Sequence, residues 1–205
     1  RRVSRSRLMP SDRMEQLEER MLLSGNPVLI NSLVINADNQ ALYTNAAGGL
    51  SITNASMVGK DGLVIEGISI SPTSGDAISV NLSNISLQRL SIESVVVAQY
   101  STVGFNLDLT NVTGLNSVAI EDVQMTGTGR GLDINFVNTD TGSLTVDDST
   151  IPGILVTASA GSDIRNGLIT ENRIAAPAGF EGVMLDVQST PTAISTANGF
   201  RILNN

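Results

Sequence analysis

The pattern of apolar and polar positions changes at Gly25. Upstream, in "SDRMEQLEERMLLSG", Met14, Leu17 and Met21 fall at i, i+3 and i+7, on one face of a helix. Ser11 or Asp12 can cap its start, Gly25 can end it in the left-handed conformation, and Pro27 cannot continue it. This predicts a short helix over 11–25, which must dock to persist. Residues 1–10 lack any hydrophobic period and are expected to be a disordered basic leader. From Val28 onward the period becomes two: "LVIN", "LSIT", "LVIEGISIS", "NISLQRLSIES", "VAIEDVQM", "SLTVDDSTI" and "GVMLDV" each alternate apolar with polar or small residues. Gly, Asn, Asp, Ser and Thr punctuate these short strands, and no further helix is predicted.

The strands repeat. Their second apolar positions, Ile65, Ile92, Ile120, Val146 and Ile169, are separated by about 27, 28, 26 and 23 residues, and a further copy follows near Ile202. The local sequences agree at these anchors: "VIEGI", "SIESV", "AIEDV", "TVDDS", "LITEN". A second file, "AISVNL", "FNLDLT", "GLDINF" and "ILVTAS", accompanies them, so each unit holds roughly two strands and their turns. A unit of this size cannot bury its inner face alone, whereas stacked units bury one continuous aliphatic file at about 4.8 Å per coil. The arrangement resembles the right-handed parallel β-helix families, whose coils read "x-I-x-I-x-x-N". The expected fold is therefore an all-β, right-handed parallel β-helix over 28–205, with the short helix at its N-terminal side. An antiparallel β-sandwich, which also shows short strands with turns every 8–12 residues, is the rival. The chain opens on Arg1 and stops within the strand-like "GFRILNN", so a piece of a longer protein, truncated at its C-terminus, is expected.

Composition narrows the chemistry. The chain is 41% hydrophobic but only 3% aromatic, so its core must be aliphatic. Without cysteine or histidine it can form no disulfide, thiolate or imidazole metal site, and no histidine-dependent triad. Charge is unevenly split: six of the 12 basic residues lie in the first 20 positions, and the body after Gly25 carries 6 basic against 16 acidic residues. An acidic body repels phosphates and argues against nucleic acid as a partner. No run approaches 18 consecutive apolar residues, so no membrane span is expected.

The register of the repeat singles out one set of side chains. The residues following the anchors are Glu66, Glu93, Glu121 and Asp147, then Thr170. If the anchors point inward, these point outward, and stacking would align four acids about 5 Å apart. Such a file needs screening or a bridging divalent cation, for which Ca²⁺ with its oxygen ligands is the candidate; otherwise it is a solvated acidic face, and no cofactor is required. "GDAISV" (75–80) and "NTD" (138–140) are similar to two elements of the polygalacturonases. In that family such aspartates act on water and the glycosidic oxygen. Here Ala77 replaces the second aspartate, the two elements occur in reversed order, and the histidine element is missing. Asp147 and Asp148, with Arg130 and Arg173, supply the residue types of a Ca²⁺-assisted uronate lyase, but neighbours on a strand face opposite ways. "TGTGRG" (126–131) lacks the Lys-Ser/Thr of a phosphate loop and is expected to form a tight turn.

The leader carries a second resemblance. Leu17, Glu18, Arg20, Leu22, Leu23, Ser24 and Gly25 fill every fixed position of "L-E-x-R-x-L-L-S-[AG]". This is a short N-terminal motif of large surface and secreted proteins of planctomycete bacteria. The resemblance implies export to the extracellular space or cell surface and a repeat-rich body, but no activity. The expectation is a non-catalytic structural or binding scaffold, adhesin-like or contacting polysaccharide or other cell-surface components. The alternative is the N-terminal part of a β-helical polysaccharide lyase or glycoside hydrolase whose catalytic residues lie elsewhere.

Overall fold

A computed structural model describes residues 31–179 and 181–205. The leader over 1–10, the helix over 11–25 and the motif Leu17, Glu18, Arg20, Leu22, Leu23, Ser24 and Gly25 lie outside the described residues.

The described chain is a parallel β-solenoid. Its first face stacks seven strands in the order Ser32–Ile35, Gly62–Glu66, Arg89–Tyr100, Ser117–Gly127, Leu144–Asp147, Gly167–Thr170 and Arg201–Leu203. Its second face stacks six: Leu50–Thr53, Ile78–Ser83, Val103–Thr110, Arg130–Val137, Ile154–Ser159 and Val183–Val187. Every pairing between these strands is parallel. The antiparallel sandwich is thereby overturned; the antiparallel contacts among the described residues are isolated bridges, Thr44 with Leu50 and Thr190 with Ala193. The only helical elements described are two short 3₁₀ turns, Gln40–Leu42 and Asn54–Met57.

The anchors stack in register along the first face. Ile35, Ile65, Ile92, Ile120, Val146, Ile169 and Ile202 are successive partners. The repeat thus begins one coil earlier than the sequence spacing suggested, at Ile35. From Ile35 to Ile169 these side chains are fully buried. Ile202, with a stacked neighbour on one side alone, is 49% exposed. Leu50, Ile78, Phe105, Leu132 and Ile154 form the equivalent file on the second face, all buried. Each such burial stabilises by roughly 1.5–3 kcal/mol, which accounts for an almost wholly aliphatic core.

The coils between Gly62 and Ile174 have a third face that the two-strand reading omits. The strands Arg89–Tyr100 and Ser117–Gly127 turn a corner at Ser94 and Asp122 and continue as Val95–Tyr100 and Val123–Gly127. Ser69–Ile70, Thr150–Ile151 and Arg173–Ile174 extend this face in other coils. The corner residues Gly67, Ser94, Asp122, Asp148 and Glu171 all have positive φ, as do Asn84, Asn111 and Asn138 where the second face ends. Asn and Asp tolerate that conformation better than most residues because their short polar side chains bond locally.

Those corners turn backbone N–H groups away from the sheet ladder, and polar side chains of the next coil, buried in every case but the exposed Asn205, accept them. Val123 N–H donates to Ser149 Oγ (3.0 Å), Ser149 N–H to Asn172 Oδ1 (3.1 Å), and Asn172 N–H to Asn205 Oδ1 (3.0 Å). At the opposite corner Val112 N–H donates to Thr139 Oγ1 and Thr139 N–H to Ser162 Oγ, both at 3.0 Å. An unsatisfied buried N–H would cost about 1–3 kcal/mol, so these columns determine where the aliphatic file can bend. Outside, Asn138 donates to Asn111 (2.7 Å) and Asn111 to Asn84 (3.0 Å), a ladder of side-chain amides across three coils.

Tyr100 departs from the aliphatic plan. A bulge after Ala98, with Gln99 at φ 63°, turns its ring inward against Gly127, where a Cβ would lie 2.5 Å from Cε1. The ring is 1% exposed and its hydroxyl has no hydrogen-bond partner. Burial pushes its pKa up to about 12 from the usual 10. Because the folded pKa is raised, stability is unaffected below pH 10, where the unfolded tyrosine is still neutral, and falls as pH rises from 10 towards 12. Tyr100→Phe is expected to fold with equal or higher stability in urea denaturation at pH 7, and to lose less of it between pH 10 and 12.

Candidate functional site

The acidic file sits on the first face in the predicted alignment. Glu66 pairs with Glu93, Glu93 with Glu121 and Glu121 with Asp147, one residue beyond the buried anchors. The file continues into Thr170 and Leu203 and loses its charge there. Strand geometry brings the four into line, yet their side chains do not converge. The Glu93 carboxylate turns back along its own strand to Arg89 (3.1 Å) and accepts from the Ser91 hydroxyl. Asp147 accepts from the backbone N–H of Asp148 at 3.0 Å. Among the described residues no group of three or more acidic side chains is placed to hold a metal ion. Asp38, Glu66 and Glu93 line an open hollow of about 440 Å³ at the N-terminal end of this face, beside Asn36, Gly67 and Ser94.

The candidate catalytic aspartates occupy joints between coils. Asp76 Oδ1 accepts from Val103 N–H (3.1 Å) and Oδ2 from Asn106 Nδ2 (3.0 Å). Asp140 Oδ1 accepts from Asp163 N–H at 2.9 Å, and Asn138 belongs to the amide ladder. Asp148 is a corner residue at φ 44°, while Asp147 precedes it on the strand. Arg130 pairs with Asp133 at 3.1 Å, and Arg173 starts a short third-face strand. These residues do not form one constellation. "TGTGRG" makes the expected tight turn, since a Cβ on Gly129 would lie 2.0 Å from the Thr102 carbonyl oxygen.

A second, more polar surface lies on the outer side of the second face. Alternation exposes two adjacent files there. One runs through Asn106, Asp133 and Leu155, the other through Asp108, Asn135 and Thr157. They line an open groove of about 480 Å³ across three coils, with Val137, Ser159 and Gln188 also in its lining. Neighbouring coils half-bury each of these side chains except Gln188. Asn135 Nδ2 donates to Asp108 Oδ1 at 3.3 Å. Burial raises the Asp133 carboxyl above its usual pKa range; the Arg130 guanidinium pulls against that rise, while Asp108 and Asp76 add to it. The groove therefore presents side-chain amides, hydroxyls and carboxylates in parallel rows, with aliphatic Leu155 and Val137 beside them. Sequence reasoning found this strand file but not its outward residues. The signal was "FNLDLT" followed by "GLDINF", in which Asn and Asp alternate around the buried positions.

No family model, no curated protein and no solved structure matches the chain. No helix among the described residues is long and apolar enough to cross a membrane.

Among the described residues Arg89 supplies the one ion pair to the acidic file, with both partners about 40% exposed (45% and 37%). Arg89→Gln should cost no more than about 1 kcal/mol in denaturant melts at low ionic strength. The loss should shrink in 1 M salt, where the Debye length is about 3 Å.

Proposed function

We propose that the solenoid is a non-catalytic binding scaffold of an extracellular or cell-surface protein, and that its second face contacts polysaccharide. The groove carries this reading. Its rows present an outward amide, hydroxyl, carboxylate or aliphatic group at each coil, which suits a polymer bearing both hydroxyl groups and C–H faces. A parallel ladder at about 4.8 Å per coil makes a rigid, extended surface without requiring any loop to close over a ligand. The positions of Asp76 and Asp140 in coil-to-coil hydrogen bonds support binding over hydrolysis, because both carboxylates are engaged by backbone N–H groups of a neighbouring coil. The leader motif, with its resemblance to planctomycete surface and secreted proteins, supports export. An acidic body, repelled by nucleic acids, fits the same setting.

Native affinity electrophoresis through gels containing dissolved polysaccharides tests the reading. At least one polymer is expected to retard the protein, while size-exclusion profiles of that polymer stay unchanged after prolonged incubation. Retardation by none, or shortening of the polymer, would contradict a non-catalytic polysaccharide scaffold.

A further inference from the structure

Resting on that reading, we propose that the second-face groove selects uncharged polysaccharide chains over uronate-containing or sulfated ones. Three observations combine. The first is charge. Asp108 and Asp133 lie in the two rows of the groove on adjacent coils, Asp76 is close enough to act electrostatically on Asp133, and Arg130 is engaged by Asp133. A polyanion passing over these carboxylates meets like charges in a half-buried setting, where screening is weaker than at an open surface.

The second is hydrogen-bonding capacity. Asn106 and Asn135 each spend one N–H on an aspartate, Asp76 and Asp108 respectively. Each keeps a second N–H and a carbonyl oxygen for a ligand. Thr157 and Gln188 add a hydroxyl and an amide on the same side. Sugar hydroxyls both donate and accept, and they match such a mixed row. Carboxylate and sulfate groups only accept, so the carbonyl and carboxylate acceptors of the rows would go unmatched by them.

The third is the apolar component. Leu155 follows Asn106 and Asp133 in one outward row, and Val137 lies beside the other. These aliphatic groups offer contact to the C–H face of a pyranose ring in a groove whose lining contains no aromatic side chain.

The experiment uses the full 205-residue chain and two sets of probes. One set is uncharged glucans, mannans and xylans; the other is polygalacturonate and chondroitin sulfate, all at matched ionic strength. Binding to at least one uncharged polymer, at least about tenfold tighter than to either polyanion, is expected. Asn106→Ala/Asn135→Ala should weaken it about tenfold or more. Thr157→Ala/Gln188→Ala, which removes no coil-to-coil hydrogen bond, should weaken it severalfold and covers the case in which the first variant does not fold. Asp108→Asn/Asp133→Asn should narrow the gap between uncharged and anionic polymers. Equal or tighter binding of a polyanion by the parent protein would overturn this inference and leave the scaffold reading standing. Full affinity in both groove variants would also overturn it. Binding of no polymer by a protein with a normal melting curve would overturn the scaffold reading as well.

Discussion

The structure depends on one contact repeated coil after coil: an aliphatic side chain resting on its in-register equivalent in the next parallel strand. Ile65, Ile92, Ile120, Val146 and Ile169, each with such a neighbour on both sides, are fully buried, and Ile202 is half exposed with one. A strand side-chain period of two means that a slip of one residue would turn an entire file outward. The same constraint that keeps isoleucines inside therefore keeps Glu66, Glu93, Glu121 and Asp147 outside and in line. It also keeps the Asn/Asp rows of the second face in line. The acidic file and the polar groove follow from the core register.

Polar side chains control where the aliphatic file ends and the chain turns. A corner residue with positive φ misdirects the following N–H, and a buried Ser, Thr or Asn from the next coil accepts it. Ser149, Asn172, Thr139 and Ser162 look out of place in a core until their partners are considered. The aspartates that resemble catalytic elements belong to the same economy: Asp76 and Asp140 bond backbone N–H groups across coils. A β-solenoid uses Asn, Asp and Gly so heavily at its turns that short motifs of these residues carry little information about chemistry.

The solenoid and its register were legible in the sequence because the anchors are apolar, nearly evenly spaced and followed by similar residues. The alignment of the four acids follows directly from that spacing. The first coil, expected within the solenoid through "LVIN", was given no anchor, because its Ile35 is followed by Asn36 rather than an acid and lies about 30 residues before Ile65. The third face was hidden because the strands Arg89–Tyr100 and Ser117–Gly127 run through a corner without a glycine or proline to mark it, Ser94 and Asp122 taking the positive φ. Nor did spacing reveal that Glu93 turns to Arg89, since that pairing depends on side-chain rotamers. The groove escaped notice because its residues differ from coil to coil, Asn opposite Asp opposite Leu, and share only their outward direction.

Cysteine cross-linking tests the register most directly, since the chain has no cysteine of its own. Strand partners lie about 5 Å apart, while a two-residue offset adds roughly 6.6 Å along the strand. A short bifunctional thiol reagent should therefore link Glu93→Cys/Glu121→Cys much faster than Glu93→Cys/Ala119→Cys. The same preference is expected for Asn106→Cys/Asp133→Cys over Asn106→Cys/Asn135→Cys. Equal rates within each comparison, or faster linkage of the offset pairs, would contradict the in-register stack on which the core, the acidic file and the groove all rest.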